Sequence, residues 1–261
     1  MGSPVVLWDD PGGYDAYRED LFFPDEPPLE GETVPARGRR YGERGGPAPL
    51  ADAIDLFVLH YDASGTSRQC FKTLQDRRGL SVHFLLDLDG TIYQTLDVKE
   101  RAWHAGAAND RSVGVEIANP GAYPERRHER LKSWYARDAH GTRVTFPPKL
   151  GPTGIRTGDF VPRPARDRIV SGKIHGRTFW QYDFTNEQYA ALASLARALA
   201  GLLPRVRLDA PRDRAGRVRA TVMSATELES FSGLLGHYHV TREKIDPGPA
   251  FDWERLLREA R

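Results

Sequence analysis

Eight histidines and one cysteine stand in this chain, and three of its residues have the types that bind a hydrolytic metal. His60 closes the apolar run Leu56-Phe57-Val58-Leu59, His237 follows Gly236, and Asp246 comes nine residues after His237. A loop folding back between the last two would place both on one ion. Two imidazoles and one carboxylate leave the fourth position of a tetrahedral Zn²⁺ open to water, the arrangement of a catalytic site. The competing reading of His60 is a satisfied structural histidine, since a polar side chain ending a buried strand needs a partner whether or not it binds metal. Spacing does not choose between the two. The single Cys70 excludes an intramolecular disulfide framework and any cysteine-based zinc knuckle, so a metal site has to use histidines and carboxylates.

The elements that would position these residues follow from periodicity. Leu56–Leu59 is a short continuous apolar run of the kind found in a strand buried on both faces. Ser112-Val-Gly-Val-Glu-Ile117 alternates strictly, with Val113, Val115 and Ile117 on one face and Gly114 and Glu116 on the other. That strand delivers a carboxylate to one side, with a glycine beside it leaving room. Residues 66–78 read as a helix with Cys70, a small buried hydrophobe, Phe71 and Leu74 on one face and Gly79 just past its end. Asp89-Gly90 between two β-type runs in 82–94 signals a hairpin. Thr185-Asn-Glu-Gln188 matches a capping box opening a helix through about Leu203, where Pro204 stops it. Residues 205–226 read as a polar loop or hairpin, and Trp253 to about Ala260 as a final helix.

Two segments break this rhythm. Residues 1–50, rich in Pro, Gly, Asp and Arg, read as an irregular arm whose aromatics Trp8, Tyr14, Tyr17, Phe22 and Phe23 pack on the domain. Residues 120–184 are too long for a structureless loop in a compact domain, so they read as a functional insertion with secondary structure of its own. Its arginines Arg163, Arg166 and Arg168, with Trp180 and Tyr182, either form a solvated surface or cover glycan and peptide carboxylates. The expectation is one domain over 51–261 with that insertion at about 120–184.

Five ordered stretches, Ile54-Asp-Leu-Phe-Val-Leu-His-Tyr-Asp-Ala-Ser64, Leu80 to Gln94, Ala102-Trp-His-Ala-Gly106, Ser112 to Ile117, and Gly236-His-Tyr-His-Val240 with Lys244-Ile-Asp-Pro-Gly-Pro-Ala-Phe-Asp-Trp253, carry a resemblance. They are similar to successive motifs of the zinc-dependent N-acetylmuramoyl-L-alanine amidases, in the superfamily of type-2 amidases and peptidoglycan-recognition proteins. The resemblance covers 54–119 and 185–257. It implies an α/β fold with a central mixed sheet flanked by helices and the metal at the strand ends. It makes His60, His237 and Asp246 the Zn²⁺ ligands, Glu116 the residue that activates the attacking water, and Lys244 the cation that steadies the oxyanion. His239 falls outside the ligand set. Relatives lacking the glutamate use a tyrosine where this chain has Val82, so the sequence sits in the glutamate branch. Trp103, His104 and His83 are the candidate substrate contacts.

The chemistry is coherent beside the resemblance. Zinc lowers the pKa of bound water to about 7 and polarises an amide carbonyl. A carboxylate shuttles the proton to the leaving amine, and a lysine offsets charge on the tetrahedral intermediate. Plainer readings stay open: Glu116 in a salt bridge, Lys244 solvated on its loop, His104 merely packed, and His83 orienting core groups or the cleft wall.

Composition narrows the rest. Thirty-seven Lys+Arg against thirty-six Asp+Glu give a net charge of +1, which argues against a nucleic-acid partner. No apolar run approaches the ~20 residues of a membrane span. The N-terminus lacks the basic and apolar regions of an export signal. A periplasmic or extracellular location is expected nonetheless, with the signal absent or removed and the cytoplasm left open. The expected partner is peptidoglycan or a muropeptide, and the expected state a monomer. The rival from another class is a non-catalytic peptidoglycan-recognition module, which retention of three ligands plus Glu116 disfavours.

Overall fold

In the computed structural model, which describes residues 4–26, 36–44 and 49–261, side-chain alternation decides how the layers stack. Six strands make a central sheet: β1 (Val5–Leu7), β3 (Leu56–Tyr61), β4 (Phe84–Leu86), β5 (Ile92–Gln94), β7 (Ser112–Ile117) and β12 (Gly233–Gly236). Their spatial order is β1-β5-β4-β7-β3-β12. The β4–β5 pair is antiparallel and the other four pairings are parallel, so the sheet is mixed, as the sequence implied. Phe57, Leu59, Val113, Val115 and Ile117 share a buried cluster with the helices Asn186–Leu202 and Trp253–Ala260. Leu56, Val58 and Leu235, half a period away, pack instead on Ala105, Ala108 and Met223. Helices therefore cover one face, while the other takes shorter segments and has room for polar side chains.

Local chemistry explains most element ends. Thr185 Oγ1 accepts from the Gln188 amide at 3.0 Å and Gln188 Oε1 accepts from the Thr185 amide at 2.9 Å, closing the capping box. The Asp89-Gly90 turn joins β4 to β5, with Gly90 at φ 81°. Residues 66–78 divide into an α-helix, Ser67–Lys72, and a wider π-helical turn, Thr73–Arg78, before Gly79 at φ 62°. Within 205–226 one antiparallel bridge, Arg212 to Val218, forms the expected hairpin contact. A short helix, Ala225–Ser230, then follows a second capping box, Ser224 with Glu227. Among the described residues no helix is long and apolar enough to cross a membrane.

The described parts of the first fifty residues do more than lie on the surface. Val5–Leu7 adds the edge strand β1 beside β5, and Tyr14 stacks on Phe71 at 5.1 Å and tilts against Tyr93 at 4.6 Å. Strand β2 (Tyr41–Glu43) pairs with β6 (Glu100–Ala102). Beyond it, the Arg44 guanidinium donates to the carbonyls of Val98, Asn109, Asp110 and Ser112 at 2.7–3.1 Å, stapling this segment to the start of β7. Residues 120–184 hold a helix, Glu129–Trp134, and two hairpins, β8 (Tyr135–Asp138) with β9 (Gly141–Val144) and β10 (Val170–Ile174) with β11 (Arg177–Gln181). Of the three arginines singled out in the insertion, Arg163 pairs with Asp138 at 2.7 Å and Arg166 with Asp183 at 2.6 Å.

Asp87 lies fully buried at the end of β4, one oxygen accepting from the Leu88 amide and the other without a partner. Burial pushes its carboxyl up to about 8, against about 3.9 in an unfolded chain. The native state therefore binds more protons than the unfolded state between those values, and this group's stabilising contribution, full below about pH 4, is lost as pH rises through about 8. In Asp87→Asn the fall in urea-unfolding free energy between pH 5 and pH 8 should be smaller than in the parent; an unchanged slope assigns the pH dependence elsewhere.

Candidate metal centre

Parallel pairing brings the first two site residues together. His60 in β3 lies directly beside Glu116 in β7, and Leu85 in β4 flanks Glu116 on the other side. Period-two alternation sends both polar side chains to the face that Gly114 also occupies. Strand β12 ends beside this row: Gly236 pairs with Leu59, and the chain turns into the helical segment His237–Val240. A Cβ on Gly236 would stand 2.7 Å from Pro247 and 3.0 Å from the Tyr238 ring, so the absent side chain lets the loop to Asp246 fold back. The Tyr238 amide donates to the Asp246 carbonyl at 3.1 Å and pins that return.

The result is a convergence on one oxygen. Asp246 Oδ2 stands 2.9 Å from His60 Nδ1 and 3.1 Å from His237 Nδ1, and ligand atoms of the three buried residues all lie within 4.8 Å of one another. Donors on a tetrahedral zinc with bonds of about 2.0–2.1 Å stand about 3.3 Å apart, so the two Asp246–histidine separations and the donor types fit Zn²⁺. Burial pulls His60 down to about 4, with His237 adding to the effect, which keeps its ring neutral. Burial alone would raise Asp246; the His237 and His60 rings outweigh it and hold the carboxyl well below the usual range.

Glu116 borders this set with one carboxylate oxygen, Oε2, shut from solvent and without a hydrogen-bond partner. Burial, then the negative charges of Asp246 and Asp62, push its carboxyl well above the ordinary range, with Lys244 opposing. No salt bridge involving Glu116 occurs among the described residues. Lys244 is exposed on the loop two residues before Asp246, so it acts on this group through charge from the rim.

The remaining histidines separate by what their nitrogens do. His104 Nδ1 lies 3.0 Å from His60 Nε2, and its Nε2 lies 3.2 Å from Ser112 Oγ. A serine hydroxyl both donates and accepts, so this chain runs in either direction and accommodates either His60 tautomer. Gly114 is what admits the ring: a Cβ there would stand 2.5 Å from His104 Cε1 and Nδ1. His83 is fully buried behind it; Nδ1 accepts from the Gly114 amide at 3.1 Å and Nε2 faces the Glu100 carbonyl at 3.0 Å. His239 is likewise buried between the Gly236 amide and the Arg219 carbonyl. Trp103 is half-buried against Gly42. The sequence reading missed Ser112 as a partner of His104, and also Asn119 and Gln181, whose connections to the Asp246 loop join chain segments far apart in sequence.

Comparison with known proteins gives the family. The Amidase_2 family model, described as N-acetylmuramoyl-L-alanine amidase, matches residues 50–249. The chain belongs to this amidase family. No curated protein sequence matches it. Solved structures similar to it include AmpD, at 19% identity over 90% of this chain and 96% of that chain with a TM-score of 0.41. Another is the E. coli amidase AmiD in complex with an anhydro-N-acetylmuramic acid tripeptide substrate, at 19% identity over 83% of this chain and 60% of that chain, TM-score 0.42. A third is the Drosophila peptidoglycan recognition protein SD, at 14% identity over 95% and 90%, TM-score 0.42.

Gly114→Ala should drive the His104 ring off His60 and lower stability by about 1–3 kcal/mol, the usual range for overpacking. Urea unfolding reads the change, and an unaltered midpoint would mean that the ring has space to move.

Proposed function

We propose that this protein hydrolyses the amide between the lactyl group of N-acetylmuramic acid and L-alanine, in peptidoglycan or its fragments, with one Zn²⁺. The observation that carries the reading is the gathering of His60, His237 and Asp246 within 4.8 Å beside Glu116, in a chain of the amidase family. When bound, zinc supplies a Lewis acid for the amide carbonyl and makes water acidic enough to attack at neutral pH. His60, His237 and Asp246 hold the ion. Glu116 takes the proton of the attacking water at its free oxygen and hands it to the departing alanine nitrogen, which leaves poorly without it. Burial raises its proton affinity, which favours both taking the water's proton and holding it until the nitrogen departs. Lys244 offsets the negative charge that builds on the carbonyl oxygen. Intact peptidoglycan as substrate puts the site of action in the periplasm or outside the cell; soluble fragments as substrate leave the cytoplasm open.

Digestion of purified peptidoglycan should release free alanine amino termini without new reducing sugars; reducing ends alone would overturn the reading. His237→Ala should abolish zinc uptake. Glu116→Gln should keep zinc while kcat drops by about 10²–10⁴, the range for a lost proton-transfer group. An intact protein that binds muropeptide tightly, takes up no zinc and releases no alanine would instead be a recognition module.

A further inference from the structure

The loop that carries Lys244 and Asp246 is held by a residue from the insertion. Gln181, at the end of β11, is fully buried. Its Nε2 donates to Asn119 Oδ1 at 3.3 Å and to the Pro247 carbonyl at 3.1 Å, and its Oε1 accepts from the Ala250 amide at 3.0 Å. Both amide protons are thus committed, and the oxygen holds the far side of the same loop. Asn119 lies three residues beyond Glu116; its side chain also accepts from the Gly121 amide at 2.9 Å and donates to the Tyr182 carbonyl at 3.2 Å. One primary amide therefore joins the strand that presents Glu116 to the loop that presents Asp246.

The fit around that amide is close. Gly248 has φ 86°, and a Cβ there would run into Gln181 Oε1. The same hairpin touches the loop twice more: a Cβ on Gly172 would stand 2.9 Å from Pro249 Cβ, and His175 Nε2 lies 2.9 Å from the Lys244 carbonyl. Arg166, ahead of the hairpin, donates to the Ala250 carbonyl. These supports grip the backbone on both sides of Asp246, and Gln181 is the side chain that bonds directly both to this loop and to Asn119 just past the end of β7. Without it, the Glu116 strand and the Asp246 loop keep the link through His60, which pairs beside Glu116 and contacts Asp246, but lose the bridge on the side of the loop that follows Asp246.

We propose that Gln181 is a positioning residue, a bridge from the insertion that sets the spacing between the proton-shuttling Glu116 and the metal-binding Asp246. This rests on the zinc-amidase reading. Productive geometry at such sites has to hold to within about 0.5 Å, and partners behind metal ligands typically change affinity or activity by about 10–100-fold.

The test uses the full chain and two variants. Gln181→Met keeps length and apolar packing but makes none of the three hydrogen bonds; Gln181→Glu keeps the acceptor for Ala250 and loses donors to Asn119 and Pro247. Zinc affinity is read by chelator competition with zinc alone, and kcat and KM are read on a muropeptide. The expected result for both is a loss of zinc affinity and kcat on the order of tenfold or more, at nearly constant KM, with zinc-free unfolding midpoints above the assay temperature. Unchanged zinc affinity and kcat, a change in KM alone, or a variant unfolded at the assay temperature would each overturn the proposal. If the parent protein neither binds zinc nor releases alanine, the amidase reading itself fails, a result separate from any behaviour of the variants.

Discussion

A carboxylate oxygen approached by two imidazole nitrogens in a nearly dry pocket constrains everything around it. Asp246 is 7% exposed and His60 1%, and removing a carboxylate from water costs several kcal/mol unless partners replace the lost solvent. The partners here come from two different parallel strands: His60 sits at the end of β3, and His237 follows the end of β12. Parallel strands align their carboxyl ends along one edge, where an open α/β sheet also leaves its crevice. The loop from His237 must then reverse direction within nine residues and bring Asp246 back under both rings. Gly236, the Tyr238 amide and the Gln181 side chain are each explained by that reversal.

The histidines show how one residue type is divided between structure and chemistry by its hydrogen bonds. In His83 and His239, Nδ1 accepts from a backbone amide, which leaves Nε2–H for a carbonyl. Such rings act as rigid struts between segments. Burial and the nearby Arg44 charge pull His83 down to about 3, so the strut stays neutral across the physiological range. His60 and His237 instead direct Nδ1 at a carboxylate oxygen. His104 stands between the groups: it contacts His60 on one side and Ser112 on the other, and it reaches that place because residue 114 has no side chain.

Much of this was legible from sequence wherever one segment carries its own signal. Strict alternation in 112–117 predicted which face receives Glu116, and Thr185 with Gln188 marked the long helix. The resemblance supplied the ligand set, but its geometry depends on register, and nothing in either strand alone says that His60 and Glu116 are neighbours. Residues 5–7 are too few to show a period, so an edge strand hides in an irregular arm. Ser224 and Glu227 spelled a second capping box inside a stretch whose arginines and aspartates read as loop. Gln181 was invisible for a different reason: its partners are two backbone groups and one asparagine, each distant in sequence, and a buried primary amide leaves no pattern in composition or spacing.

The separation of the ligands along the chain also orders events during synthesis. His60 and Asp246 are 186 residues apart, and at about 5–20 residues per second a ribosome needs roughly 10–40 s to travel between them. Over that interval β3 can pair with β7 and bury its apolar face, while His60 has only His104 for company. The strand β12 and the loop after it are made only at the end of that interval. The three-donor set is thereby completed only once His237 and Asp246 have been made, and a chain that stops before them has one of its three donors.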